Sequence, residues 1–104
     1  MLRTGVVVVA LIVLPGIAQA AGHRIGQKDK AFSVSALTVK AGDSIVFEND
    51  DQVTHNVYSA SKGNEFNLRA QAPGDKASVT FAGLGRFEVR CAFHPKMKLV
   101  VTVK

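Results

Sequence analysis

From Ser35 to Lys104, apolar side chains recur at alternate positions in runs too short for helices, and each run stops at a turn signal. Leu37 and Val39 alternate in SALTVK, which ends at Ala41-Gly42-Asp43. Ile45 and Phe47 share one face of SIVFEND, which ends at the acidic pair Asp50-Asp51. HNVYS is a short β-prone run before the polar loop 59–64. Phe66 and Leu68 alternate before Pro73-Gly74-Asp75. Val79 with Phe81, then Phe87 with Val89 and Cys91, then Leu99 with Val101 and Val103 complete the series. A period of two buries one face of a sheet, and no window of about eleven residues or more carries a helical period. Seven such segments with turns every eight to twelve residues or so predict an all-β fold. The expected architecture is an antiparallel Greek-key β-sandwich of seven to eight strands.

The first twenty residues follow different rules. Arg3 supplies a positive start, Val6 to Leu14 is unbroken apolar sequence, and Pro15-Gly16 interrupts it ahead of Ala18-Gln19-Ala20. That order is a secretory signal with a small-x-small cleavage site, so residues 1–20 are expected to be removed and the product to be periplasmic. An uncleaved anchor is the competing reading, but Gly5 to Ala21 is short for a span of about 20 apolar residues and contains a helix breaker. No cysteine lies near the site, which excludes lipid modification there. The remaining segment, 21–104, is expected to be one domain with one small core. Domains of that size usually need a staple, and with Cys91 the only cysteine, a disulfide is excluded and a metal is the substitute. The segment carries twelve of the thirteen Lys and Arg and all eight acidic residues, a formal charge of +4. Its basic residues are dispersed and not interleaved with aromatics, which argues against nucleic acid and fits docking to an acidic protein surface.

The chemistry concentrates in CAFHPKM, Cys91 to Met97. A lone thiol in an oxidising compartment is either buried or bound to something soft. Cys91, His94 and Met97 offer thiolate, imidazole and thioether within one short segment, on a loop expected between two strands. Soft sulfur with imidazole suits copper, whereas zinc has little use for a thioether. His55, at the head of the HNVYS strand, supplies a second imidazole from a loop able to reach the same pole of a sandwich. Two His, one Cys and a weak axial Met make a trigonal type 1 copper site.

At these residues the chain resembles the cupredoxins, in particular the plastocyanin, pseudoazurin and amicyanin group. The likeness runs from AFSVSALTVKAGDSIVFEND through THNVYS and PGDKASVTF to GRFEVRCAFHPKMKLVVTVK, with the short C-x2-H-x2-M spacing of amicyanin. The resemblance implies His55, Cys91 and His94 as equatorial ligands, Met97 as the axial one, and one-electron transfer by a Cu(I)/Cu(II) couple. It also implies that the Asn56 backbone N–H donates to the thiolate, which raises the reduction potential. Pro95, as in amicyanin, stiffens the loop.

Two residues depart from the family. Ala92 stands where Ser or Thr usually follows the Cys, so the hydroxyl that would tie the loop to Asn56 is missing. Phe93 stands where Pro usually precedes the second His. It restores a backbone N–H, expected to be a second donor to the sulfur, so Phe93→Pro is expected to lower the potential. A loosened loop would let Met97 approach the metal and shift the colour from blue toward green. Around His94, Phe93 and Pro95 are expected to form an apolar collar, and Lys96 and Lys98 a positive rim.

Cleavage after Ala20 would also leave Ala21-Gly22-His23 as an amino-terminal nitrogen set for Cu(II) or Ni(II), although a histidine that merely heads the first strand is the simpler reading. The expected function is a monomeric electron carrier between redox proteins. Copper sequestration, delivery or tolerance is the alternative. Catalysis by Cys91 as nucleophile is disfavoured, because no acid or amide is placed to orient a histidine base beside it.

Overall fold

A computed structural model describes Gly5 and residues 20–104, so the export signal expected over 1–20 lies almost wholly outside the described residues. Nine strands follow in order: β1 Gly22–Lys28, β2 Ala31–Phe32, β3 Ala36–Val39, β4 Ser44–Asn49, β5 His55–Ser59, β6 Phe66–Gln71, β7 Lys76–Thr80, β8 Gly85–Cys91 and β9 His94–Val103. They form two sheets, β2-β1-β4-β7 and β3-β9-β8-β5-β6. The count exceeds the expected seven to eight because GHRIGQK is a strand without apolar alternation. Ala31–Phe32 adds a two-residue edge strand to it.

The pairing is mixed, and not purely antiparallel as expected. β1 runs parallel to β4 and β3 parallel to β9. Parallel neighbours require a crossover, and here the chain supplies it by passing between sheets after β2 and again after β3.

Alternation places the core as the sequence predicts. Ile45 and Phe47 on β4, Phe87, Val89 and Cys91 on β8, and Leu99, Val101 and Val103 on β9 are all buried. Phe47 stacks on Phe66 at 6.0 Å between ring centroids, and Phe66 meets Phe81 edge-on at 5.8 Å. These contacts lace the two sheets together through side chains of β4, β6 and Phe81, the residue that follows β7.

At one pole the filling turns polar. Gln27, Asn49 and Gln71 are buried at the ends of β1, β4 and β6. Gln27 Nε2 donates to Gln71 Oε1 at 2.8 Å, and Asn49 Nδ2 donates to the carbonyls of Gln71 and Val53. Gln71 is also the register partner of His55, so this amide cluster underlies the pole at which β5 begins, β8 ends and β9 begins. Charge-free amides that bond one another fix that end of the sandwich without burying an ion. No helix among the described residues is long and apolar enough to cross a membrane.

Candidate metal centre

The expected ligand loop is a tight hairpin. Cys91 closes β8, His94 opens β9, and the two are register partners across a turn of Ala92 and Phe93. One step on β8, from Arg90 to Cys91, is matched on β9 by the stretch from Lys98 back to His94, so Pro95, Lys96 and Met97 form a bulge. In a regular strand, positions 94 and 97 would face opposite ways. The bulge resets that parity, and Met97 is buried at the same end of the core as Cys91.

His55 enters from β5 with no exposed surface. Its Nδ1 lies 3.1 Å from His94 Nδ1 and 3.9 Å from Cys91 Sγ, and Sγ lies 3.6 Å from His94 Nδ1. The point equidistant from all three atoms is therefore about 2.1 Å from each, within the roughly 2.0–2.3 Å at which a divalent first-row metal such as zinc holds imidazole nitrogen and thiolate sulfur. Three donors thus fit one ion, and among the described residues no carboxylate joins the cluster. Two imidazoles and a thiolate, with a buried thioether on the same hairpin, are a soft set suited to copper.

The Asn56 N–H donates to Sγ at 3.3 Å. The Phe93 amide, expected as a second donor, makes no bond to the sulfur among the described residues. Nor is the hairpin untied by the absence of a hydroxyl at Ala92. The Ala92 backbone N–H itself donates to Asn56 Oδ1 at 3.1 Å, while Asn56 Nδ2 donates to Asn67 Oδ1 and to the Arg69 carbonyl. Arg90 adds a bond from its guanidinium to the Pro95 carbonyl.

Two residues that the sequence reading passed over sit beside the buried ligand. Asp51 Oδ2 lies 2.8 Å from His55 Nε2 and accepts the Lys30 N–H at 3.0 Å. The Lys30 amide, the His55 ring and the Gln52 amide together hold the Asp51 carboxyl down at about 2. A carboxylate close in sequence to a candidate ligand histidine was the available signal, because ligating imidazoles usually give their outer N–H to such a group.

His94 is half-buried and lines a recess of about 300 Å³ with Lys30, Phe93, Pro95 and Lys96. Burial, then the neighbouring His55 and Lys30, push His94 below the usual imidazole range, so its ring favours the neutral, ligating form. Phe93 is 54% exposed, so the collar is a presented surface. The rim differs from expectation. Lys98 Nζ lies 3.7 Å from Glu88, whereas the recess takes its lysines from positions 30 and 96.

Ala21 precedes β1, and Gly22 and His23 open it, next to the β3–β4 turn. The Ala21 N–H and the His23 ring both engage the Asp43 carboxylate, at 2.8 and 3.0 Å, and Gly22 and His23 pair with Ser44 and Ile45. The strand holds these nitrogens extended.

A family model described as copper binding proteins, plastocyanin/azurin family, matches residues 20–104. No curated protein sequence matches the chain. Among solved structures, a novel purple cupredoxin from Nitrosopumilus maritimus is 26% identical with a TM-score of 0.70, covering 79% of this chain and 99% of that one. A reduced amicyanin variant is also 26% identical, with a TM-score of 0.71 over 80% of this chain and 82% of that one. A copper-containing nitrite reductase from Thermus scotoductus SA-01 shares the fold at 19% identity and a TM-score of 0.73. It is covered over only 22% of its length, against 79% of this chain.

Proposed function

The chain belongs to the plastocyanin/azurin family of copper-binding proteins, and from that premise we propose that it is an exported carrier of single electrons between redox proteins. Copper bound by His55, Cys91 and His94, with Met97 behind them, supplies a Cu(I)/Cu(II) couple. The observation that carries the proposal is the asymmetry of the two imidazoles. One is sealed in the core, while the other lines an open recess with an exposed Phe93.

The chain's own residues perform the remaining tasks. Asn56 holds the thiolate through its backbone N–H and the hairpin through its side chain, so the donor positions are set by the fold. The buried amides of Gln27, Asn49 and Gln71 brace the strand paired with β5 at His55. Phe93 and Pro95 offer a partner a dry contact over His94, and Lys30 and Lys96 favour an acidic one. The sequence before Ala21 supports delivery to the periplasm.

The test is to add Cu(II) to copper-free protein and follow the visible spectrum, then voltammetry and electron self-exchange. An intense thiolate-to-copper band with a reversible wave and rapid exchange is expected. A strong band with sluggish exchange would point to copper storage or delivery instead. Lys96→Glu is expected to slow association with an acidic partner and flatten its salt dependence, and an unchanged salt slope would make the lysine rim passive.

A further inference from the structure

We infer that Asp51 is a positioning residue of the copper site: its carboxylate fixes the proton on His55 and sets how strongly that ring donates to copper. The inference rests on the copper site itself and holds whether the protein's task is electron carriage or copper storage.

His55 is fully buried and both of its ring nitrogens are engaged. Nδ1 faces His94 Nδ1 and Cys91 Sγ, and Nε2 lies 2.8 Å from Asp51 Oδ2. An ionised carboxylate only accepts hydrogen bonds, so the proton of a neutral His55 resides on Nε2. That leaves a bare lone pair on Nδ1, aimed at the point shared with His94 and Cys91. A neutral imidazole without this partner would have a choice of tautomer, and one of the two blocks the metal.

Asp51 is itself braced from three directions. Oδ2 also accepts the Lys30 N–H, Oδ1 accepts the Gln52 N–H at 2.9 Å, and the Asp51 N–H donates to Asn49 Oδ1 at 2.9 Å. Asn49 is buried and bonded onward to Gln71, the register partner of His55. The Lys30 amide arrives through the β1–β2 turn, where Asp29 and Lys30 both adopt left-handed backbone, φ 52° and 54°. L side chains rarely accept that conformation, so the turn is held by the bonds it makes.

No comparable brace reaches His94, whose ring contacts among the described residues are His55 and Cys91. The two imidazoles are therefore unequal donors. The carboxylate-backed ring is the stronger electron donor, and it favours Cu(II) over Cu(I).

The experiment compares Asp51→Asn, Asp51→Ala and Asp51→Glu with the full chain. Cu(II) and Cu(I) affinities are read by competition, the potential by voltammetry, and copper-free stability by urea. Asp51→Asn keeps an acceptor but loses the charge. It is expected to cost about tenfold more in Cu(II) than in Cu(I) affinity, which is a rise of about 59 mV for a one-electron couple. Asp51→Ala is expected to lose about 10- to 100-fold in Cu(II) affinity and to broaden the charge-transfer band, with Asp51→Glu recovering part of both.

A brace with no effect on the metal would lower the copper-free unfolding midpoint while leaving the Cu(II)/Cu(I) preference and the spectrum unchanged. That result overturns the inference. If Asp51→Ala does not fold, Asp51→Asn decides the matter alone. Slow electron exchange in the unsubstituted protein would remove the carrier reading while leaving the equilibrium potential shift readable.

Discussion

Replacing Asn56 with Ala removes the side chain that joins the metal hairpin to the neighbouring strands. Asn56 is 4% exposed and its side chain makes three hydrogen bonds: to Asn67 Oδ1 at 2.8 Å, to the Arg69 carbonyl at 3.0 Å, and from the Ala92 N–H at 3.1 Å. Each such bond is worth about 0.5–1.5 kcal/mol net. Asn67, Arg69 and Ala92 are exposed residues, so water replaces part of what is lost. The expected cost is therefore about 2–3 kcal/mol, a large share of the roughly 5–15 kcal/mol that holds a domain folded. At about 4–8 °C per kcal/mol for a domain of this size, copper-free Asn56→Ala should melt about 10–20 °C lower. Asn56→Asp keeps the acceptor for Ala92 but sets a buried carboxylate oxygen against Asn67 Oδ1 and the Arg69 carbonyl, so it should cost at least as much as Asn56→Ala. The thiolate-to-copper band should persist in both variants, because the donor to Sγ is the Asn56 backbone N–H. Thermal and urea unfolding of the copper-free chain, beside the spectrum of the copper form, make the assay. A loss below about 0.5 kcal/mol would refute the claim that the Asn56–Ala92 bond ties the hairpin in the absence of a hydroxyl at position 92.

At the opposite end, a Cβ at Gly83 would lie 2.6 Å from the Gly63 carbonyl oxygen, where Asn64 clamps both backbone groups of Gly83. Gly83→Ala should thus cost about 1–3 kcal/mol in urea unfolding, and a neutral result would mean that loop 60–65 shifts freely. His23, then the Lys40 and Ala21 amides, lower Asp43 from 3.8 to about 2. Its stabilisation is therefore complete above pH 3.8 and lost as pH falls through about 2. Urea midpoints of the unsubstituted protein should drop more steeply across that window than those of Asp43→Asn, and parallel slopes would count against the His23–Asp43 contact. Since Phe93 makes no amide bond to the sulfur, Phe93→Pro should leave the potential in place while slowing electron exchange by removing an exposed ring. A fall of about 59 mV, tenfold in Cu(II)/Cu(I) preference, would reinstate the amide as a donor.

What the sequence disclosed depended on whether each feature obeys a local period. Strands β4, β8 and β9 bury every second residue, so Phe47, Val89 and Val101 are legible as core from the alternation alone. The soft donors were legible by chemistry, because thiolate, imidazole and thioether within one short segment have few other uses. β1 was not delimited as a strand, because its burial runs over Ile25, Gly26 and Gln27 together instead of alternating. The amide cluster of Gln27, Asn49 and Gln71 was equally hidden, since polar residues in a strand pattern ordinarily mark the solvent face.

The departures at Ala92 and Phe93 show why a residue-by-residue analogy misjudges a hairpin. Losing a hydroxyl was expected to free the loop, yet the turn has a backbone N–H one residue past Cys91, and Asn56 Oδ1 accepts it. Gaining an amide at Phe93 was expected to add a sulfur donor, but a two-residue turn presents successive amides in different directions. Side-chain identity altered which atoms bond here, while the path of the chain decided where those bonds reach. What remains under side-chain control is the outer surface of the site. Phe93 puts an exposed ring in the recess that His94 lines, and Lys30, delivered by a strained turn from the other sheet, joins Lys96 there. The same turn lends its Lys30 amide to Asp51 behind His55. Contact at the recess and the donor strength of the buried ligand are thus connected through one residue.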